Sequence, residues 1–180
     1  IIMAIYHFSV KIIKRSEGRS AVAAAAYRSG TKLTNEYDGI THDYTKKNWI
    51  EHSEIFLPVQ AQKCFGERST LWNSVESIEK SGNAQLAREF EVALPIELSP
   101  EERYHLVQEF IQKNLVEHGM CVDLAIHNPP LTNGFHVPID KDGNPTTDKE
   151  AMIFQNPHAH IMTTMRPLDA DGKWMDKYEK

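Results

Sequence analysis

Residues 86–94, L-A-R-E-F-E-V-A-L, alternate from Glu89 onward between acidic and apolar side chains and are followed by Pro95. A period of two predicts a β-strand, and proline ends it because proline lacks the N–H that a sheet ladder needs. Glu89 and Glu91 are two residues apart, so both carboxylates are expected on one face of the sheet. That face is either the solvated side of the sheet or part of a reactive site, and the strand alone leaves both interpretations open.

Four further stretches are strand-like. Residues 5–13 (IYHFSVKII) and 120–126 (MCVDLAI) are rich in apolar and β-branched side chains, and residues 157–166 (PHAHIMTTMR) alternate again. A short strand is predicted at 54–57, ended by Pro58. Together with residues 86–94, these stretches predict a sheet of five strands.

Three helices are predicted between the strands. Residues 21–29 (AVAAAAYRS) are rich in alanine, the strongest helix former, and Gly30 supplies a C-terminal stop. Residues 67–81 carry apolar side chains at helical spacing. Residues 99–102 (SPEE) match a capping box that begins a long helix, ending near His118.

The remaining long segments, 31–50 and 128–156, are polar and aperiodic, so both are predicted to be loops, the second with a small hairpin at Asp142-Gly143. The order of elements predicts an α+β domain, an antiparallel sheet with helices packed on one face and the other face open for chemistry. A length of 180 residues suits a single domain, expected to cover 3–180 from Met3. Because the charged end completes no element, the chain is expected to be the N-terminal fragment of a longer protein.

Three histidines suggest a metal site. His158 and His160 are two apart in a predicted strand, so their imidazoles are expected on one face, as two metal ligands or as two surface histidines. His127 follows the strand at 120–126, and if the two strands are neighbours it completes a three-histidine site with open positions for a substrate. His136, in the long loop, is a competing ligand in a poorer, flexible setting.

Tyr27 lies near the end of the alanine-rich helix, where a packing role is the commoner one. A phenol with the ordinary pKa of about 10 is a poor nucleophile unless a base or a metal assists it. The surrounding residues, 7–32, contain one acid, Glu17, and a set of basic residues that is expected to line a DNA groove. These are Lys11, Lys14, Arg15, Arg19, Arg28 and Lys32.

The net charge of −5 lowers the expectation of a nucleic-acid partner, because nucleic-acid-binding domains usually carry a basic excess. The two cysteines, Cys64 and Cys121, are too few for a disulfide framework or a cysteine-based zinc site. No apolar run approaches the ~18 residues of a membrane span, and no secretory signal precedes the first strand. A cytoplasmic setting is therefore expected.

In combination, these motifs resemble the MobA/MobL family of plasmid mobilization relaxases, within the HUH endonuclease group. The matching segments follow the family's order over nearly the whole chain: residues 3–11, A-A-Y-R at 25–28, R-E-F-E-V-A-L-P at 88–95, L-A-I-H at 124–127 and N-P-H-A-H at 156–160. The long segment between His127 and His158 resembles the larger TraA-like branch of the family.

The resemblance implies a five-stranded antiparallel sheet related to the palm and RNA-recognition folds. It also implies a nucleophile, a proton acceptor and three metal ligands, namely Tyr27, Glu91 with Glu89 as the less favoured choice, and His127, His158 and His160. The implied metal is divalent, Mn²⁺ or Mg²⁺, although imidazole ligands also suit Zn²⁺, Co²⁺ and Ni²⁺. The implied reaction nicks one DNA strand at an origin of transfer, leaves a 5′-phosphotyrosine and later rejoins the strand.

The implied partners are single-stranded or hairpin DNA, accessory relaxosome proteins and a coupling protein. Trp72, Phe90 and Tyr104 are candidates for base stacking, although core packing suits each of them better. The alternatives are a rolling-circle replication initiator or single-strand transposase with the same chemistry, a non-catalytic DNA-binding domain, and a metal hydrolase in which Tyr27 is structural. In initiators and transposases the tyrosine usually lies after the histidine pair, so the upstream Tyr27 favours a relaxase.

Overall fold

The computed structural model describes residues 7–177 and contains an antiparallel five-stranded sheet with three α-helices. The strands are β1 (Phe8–Lys14), β2 (Lys32–Thr34), β3 (Thr41–Asp43), β4 (Ile50–Phe56), β5 (Gln85–Ala93), β6 (Val122–His127) and β7 (His158–Thr164). The helices are α1 (Ala21–Ser29), α2 (Arg68–Ile78) and α3 (Pro100–Asn114). The order in the main sheet is β1-β5-β7-β6-β4, which confirms the predicted α+β class.

The helix ends follow the predicted caps. The Ser20 hydroxyl accepts the Ala23 N–H at the start of α1, and Gly30 ends the helix with φ 66°. At the start of α3, Ser99 and Glu102 form both hydrogen bonds of the capping box. Residues 5 and 6 of the first predicted strand lie outside the described residues.

The loop predicted at 31–50 is partly wrong. Strands β2 and β3 pair within it as a two-stranded sheet, and its last residue, Ile50, begins β4. Each of the small strands has only three residues, too few for a recognisable alternation, and Leu33 is the apolar anchor that packs into the core. A register shift between Ile50 and His52 interrupts the period of β4, which hid its first half.

The helices lie on both faces of the sheet rather than on one, which corrects the expectation of an open face. Helices α1 and α2 pack with Ile13, Ala87 and Met162, whereas α3 packs with Leu124 and Ile161 on the opposite face. The physical reason lies in the strands themselves, because β5, β6 and β7 carry apolar side chains on both sides and each side needs a cover.

The segment between β6 and β7 is an arm held by isolated bridges rather than by a regular sheet. Pro130 pairs with Phe154 at its base, and a turn at Asp140–Gly143 closes the predicted hairpin between Ile139 and Pro145. The C-terminal charged stretch forms a similar hairpin, in which Leu168 pairs with Trp174. The Trp174 ring stacks on Phe65 at 5.3 Å between ring centroids. None of the helices within residues 7–177 is long and apolar enough to cross a membrane.

A buried carboxylate on α2 fixes the start of α1. Glu76 is 2% exposed; its Oε1 accepts the N–H of Ala21 at 2.7 Å, and its Oε2 pairs with Arg15 at 2.7 Å. Because Tyr27 lies two turns further along α1, Glu76 determines where that side chain can reach.

We expect Glu76→Gln to lower the free energy of unfolding by about 3 kcal/mol, because it leaves the largely buried Arg15 guanidinium without its charged partner. The same substitution at Glu17, which pairs with Lys14 and Arg19 at the surface, should change it by less than about 0.5 kcal/mol. Urea unfolding followed by circular dichroism measures both. Equal effects at the two positions would mean that the buried pair does not hold α1.

Candidate active site

Sheet register brings three histidines together on the α1 side of the sheet. His127 on β6 lies opposite His158 on β7, and His160 is two residues further along the same face. One nitrogen from each ring lies within 4.8 Å of the others. The ring centroids of His127 and His160 are 4.7 Å apart, which leaves room for one small ion between the imidazoles.

The outer nitrogen of each imidazole has its own acceptor. Nε2 of His127 donates to the Arg28 carbonyl at 2.7 Å, and Nδ1 of His158 donates to the Asn156 carbonyl at 2.8 Å. Nδ1 of His160 donates to the Glu89 carboxylate at 3.0 Å. Because the nitrogen that donates each hydrogen bond carries the ring proton, the lone pair of the other nitrogen remains available as a ligand, the arrangement usual in protein metal sites.

Burial keeps two of these imidazoles, those of His127 and His158, neutral. It lowers the pKa of His127 to about 3, against the opposing hydrogen bond to the Arg28 carbonyl, and it also lowers the pKa of His158. A neutral imidazole is the form that binds a metal ion. The arrangement of the three rings therefore fits a divalent cation with imidazole ligands and open positions.

Glu89 connects the histidines to helix α1. Its side chain is fully buried and meets Arg28 in a two-point pair, Nε with Oε1 and Nη2 with Oε2, the second at 2.9 Å. Burial alone would raise the pKa of the Glu89 carboxyl, but hydrogen bonds from His160 and Arg28 outweigh burial and lower the pKa to about 2. Glu89 is therefore ionised at neutral pH and orients His160.

Tyr27 lies in the last turn of α1 with 43% of its surface exposed. The Lys47 ammonium is 3.6 Å from the centre of its ring and donates to its carbonyl at 2.9 Å. The Tyr44 ring meets Tyr27 edge-on at 5.2 Å. Burial, together with the charge of Arg28, lowers the pKa of Lys47 to about 8, so this lysine is still mainly protonated at pH 7.

Glu91 differs from its neighbour Glu89 in surroundings. It lies opposite His160 in the register, and its side chain is 26% exposed. It pairs with Lys11 of the edge strand at 3.3 Å and with His7, just before that strand, at 3.7 Å. Glu91 lines the site, whereas Glu89 is held behind it.

These side chains line one open cleft of about 560 Å³. Its walls are formed by Tyr27, Arg28, Lys47, Asn48, Trp49, Glu91, His127, Pro129, His158 and His160. The cleft thus combines a phenol, a carboxylate, three imidazoles and an ammonium group, a set suited to binding and cutting an anionic ester.

The six basic residues do not form one surface. Arg15 is paired with Glu76, and Arg28 with Glu89, both inside the protein. Lys14 and Arg19 meet Glu17 at the surface, and Lys32 meets Asp43. Lys11 borders the site beside Glu91.

Four residues that line the cleft were not predicted from the sequence, namely Lys47, Asn48, Trp49 and Pro129. His7, which precedes β1 and pairs with Glu91 beside the cleft, had a signal, because it continues the alternation of Ser9 and Lys11. Lys47 and Trp49 had none, since they lie in a polar stretch and reach the cleft only through tertiary packing. Of the three aromatic residues considered for base stacking, Trp72 is fully buried and donates to Asp123.

The other two are also engaged in packing. Phe90 packs beneath α3 on the opposite face of the sheet. The Tyr104 hydroxyl donates to Glu54 at 2.8 Å.

The model of the MobA/MobL family matches residues 19–180. The chain belongs to the MobA/MobL family. A conjugal transfer protein TraA from Agrobacterium fabrum is 37% identical over 180 aligned residues, and a mobilization protein MobL from Acidithiobacillus ferridurans is 39% identical over 172. Each alignment covers 94% of this chain but only 14% of that TraA and 45% of that MobL, so the chain spans less than half the length of these relatives.

Among solved structures, one described as the molecular basis of vancomycin resistance transfer in Staphylococcus aureus has the same fold. It superposes with a TM-score of 0.77 at 32% identity, over 98% of this chain and 78% of that chain. The relatives that share this sequence and this fold are therefore proteins named for conjugal transfer, mobilization and resistance transfer.

We expect the folded protein to bind one Mn²⁺ or Zn²⁺ ion per chain. Alanine at His158 should weaken binding by at least about 100-fold, because even the loss of an outer hydrogen-bond partner typically weakens metal sites 10–100-fold. Alanine at His136, the competing candidate on the arm, should leave the affinity unchanged. Isothermal titration calorimetry measures both, and a loss at His136 equal to that at His158 would contradict the three-histidine site.

Glu89→Gln should weaken metal binding by about 10–100-fold, because the amide no longer fixes the His160 proton by an ionic hydrogen bond. Glu91→Gln is the matched control on the same strand face and should change the affinity less than about threefold. Both are measured by calorimetry at a temperature where circular dichroism shows the native fold. An effect of Glu91→Gln as large as that of Glu89→Gln would contradict the orienting role of Glu89.

Proposed function

We propose that this domain is the nicking domain of a relaxase, which cuts one DNA strand at an origin of transfer through attack by Tyr27. The observation that carries the proposal is the common cleft of Tyr27, Glu91 and the three histidines. Membership of the MobA/MobL family and the names of the conjugal transfer and mobilization relatives support the same activity.

In the proposed reaction, the Tyr27 oxygen forms a bond to the scissile phosphorus and the bond from phosphorus to the 3′ oxygen breaks. Glu91 accepts the phenol proton directly or through water, and the departing 3′ oxygen gains a proton to become a 3′-hydroxyl. Glu89 is the less favoured acceptor, because both of its oxygens are already engaged with Arg28 and His160.

The product is a 5′-phosphotyrosine, which replaces one phosphate ester by another. Because the ester is conserved, attack by a 3′-hydroxyl regenerates the DNA strand and frees Tyr27. This reversibility suits a protein that must rejoin the strand after transfer, and the reaction needs no nucleotide.

His127, His158 and His160 would hold a divalent cation. The chemistry that such a cation supplies is polarisation of the phosphate and neutralisation of the charge that develops on it. Imidazole ligands favour Mn²⁺, Zn²⁺, Co²⁺ or Ni²⁺ on ligand type, and Mg²⁺ is included for its abundance. Lys47 adds a fixed positive charge beside Tyr27, which stabilises both the phenolate and the phosphate.

For DNA binding, we propose contacts from the exposed members of the basic set, Lys11, Lys14, Arg19 and Lys32, with Lys47 in the cleft. Arg15 and Arg28 are engaged by buried carboxylates, so their contribution would be to hold the site in shape. The substrate would be single-stranded at the cut and flanked by a hairpin. We also propose that the domain is part of a longer protein that acts in the cytoplasm. Its protein partners would be accessory relaxosome proteins and a coupling protein.

Tyr27→Phe should abolish the covalent adduct, because the ring remains but the attacking oxygen is lost. Tyr37→Phe is the matched control, since Tyr37 is also exposed and lies outside the cleft, and it should leave the adduct unchanged. The test is a denaturing gel of the protein with a labelled origin oligonucleotide and Mn²⁺, with and without EDTA.

The expected result is a shifted band that survives detergent and disappears with Tyr27→Phe and with EDTA. Cleavage without a shifted band would identify water as the nucleophile and the protein as a hydrolase. Binding of DNA and metal without any cleavage would leave a recognition domain and would overturn the proposal.

A further inference from the structure

Trp49 has a backbone conformation that aromatic residues rarely adopt. Its φ is 69°, and within residues 7–177 the only other non-glycine residue with positive φ is His136. Such a conformation is unfavourable for a bulky side chain and persists only where the surroundings enforce it, as happens often at binding sites. Here the Trp49 carbonyl accepts the N–H of Asn128 at 2.9 Å, directly after His127.

The Trp49 indole lines the same cleft as Tyr27 and His158. It is backed by the Phe154 ring of the arm, at 5.5 Å between ring centroids, and the Lys149 ammonium is 5.9 Å from it. The other two tryptophans have structural partners, because Trp72 donates to Asp123 and Trp174 donates to Ser74.

A single strand that places its phosphate between Tyr27 and the histidines must place the neighbouring bases against the cleft walls. Each base presents a flat π face, and an aromatic side chain is the usual partner for it whatever the sequence. Two lysines carry charges that suit the neighbouring phosphates, Lys149 beside the indole and Lys47 in the same cleft.

We propose that Trp49, supported by Phe154, is the stacking platform for a nucleobase beside the phosphate that Tyr27 attacks. The inference rests on the proposed function, since it assumes that single-stranded DNA occupies the cleft. The strained backbone of Trp49 and its hydrogen bond from the Asn128 N–H hold this residue at a fixed position relative to His127. The distance between the platform and the histidines is therefore constant. The arm between β6 and β7 thereby becomes part of the DNA site.

The test uses the Tyr27→Phe protein in EDTA, so that no cleavage is required. Two probes are compared by fluorescence anisotropy, a labelled thymidine 12-mer and a 12-mer of abasic deoxyribose phosphate, which has the same charge and no bases. Stacking of one base is worth roughly 5- to 150-fold in affinity, so we expect at least about a fivefold preference for the thymidine probe.

Trp49→Leu should remove most of this preference by lowering the affinity for the thymidine probe and not for the abasic probe. Trp49→Phe should retain most of the preference. Phe154→Leu, which keeps the indole but removes its support, should reduce the preference partly. Phe135→Leu is the matched control, because Phe135 is 87% exposed on the same arm but does not line the cleft. Unfolding curves of the variants identify any that lose the native fold.

An unchanged preference in Trp49→Leu would overturn the inference, as would an equal loss of affinity for both probes, which would indicate a packing role. The proposed function is separable, because it is tested by the covalent adduct of the protein with intact Tyr27. An adduct together with an unchanged preference refutes only the platform. A lost preference without an adduct refutes only the nicking.

Discussion

The guanidinium of Arg28 meets the carboxylate of Glu89 inside the protein, and the remaining parts of the site depend on that pair. Arg28 holds Glu89, which in turn orients His160. The backbone carbonyl of Arg28 also orients His127 directly. The pair also fixes the end of α1, where Tyr27 precedes Arg28. One residue therefore sets the distance between the proposed nucleophile and two of the three imidazoles, and any movement of α1 would change the two together.

Sheet topology supplies the second constraint. The central position of β7, between β5 and β6, puts His160 opposite both Glu91 and Ala125. A shift of one residue in either pairing would turn the histidines toward the α3 face, where the core is apolar. The hydrophobic residues of that face thus fix the register that the chemistry of the other face requires.

The acidic net charge is compatible with a cleft for an anion because charge is unevenly distributed over the fold. Exposed acids of α3, such as Glu101 and Glu109, lie on the opposite face of the sheet, and others lie on the turn of the arm, such as Asp142. At the cleft, Glu91 pairs with Lys11, and Lys47 lines the same cleft with a positive charge. The field that a substrate meets is local, so the sum over the chain says little about it.

Local sequence patterns predict the helices and most strands, because capping residues and alternation act over a few positions, as at Ser99 and Gly30. They also predict the grouping of His158 with His160, since a period of two is local. Tertiary structure alone decided the second helical layer, the engagement of Arg28 by Glu89, and the arrival of Lys47 and Trp49 at the cleft. The contacts among these features join positions 20 to 105 residues apart, and they form only when the whole sheet has paired in one register.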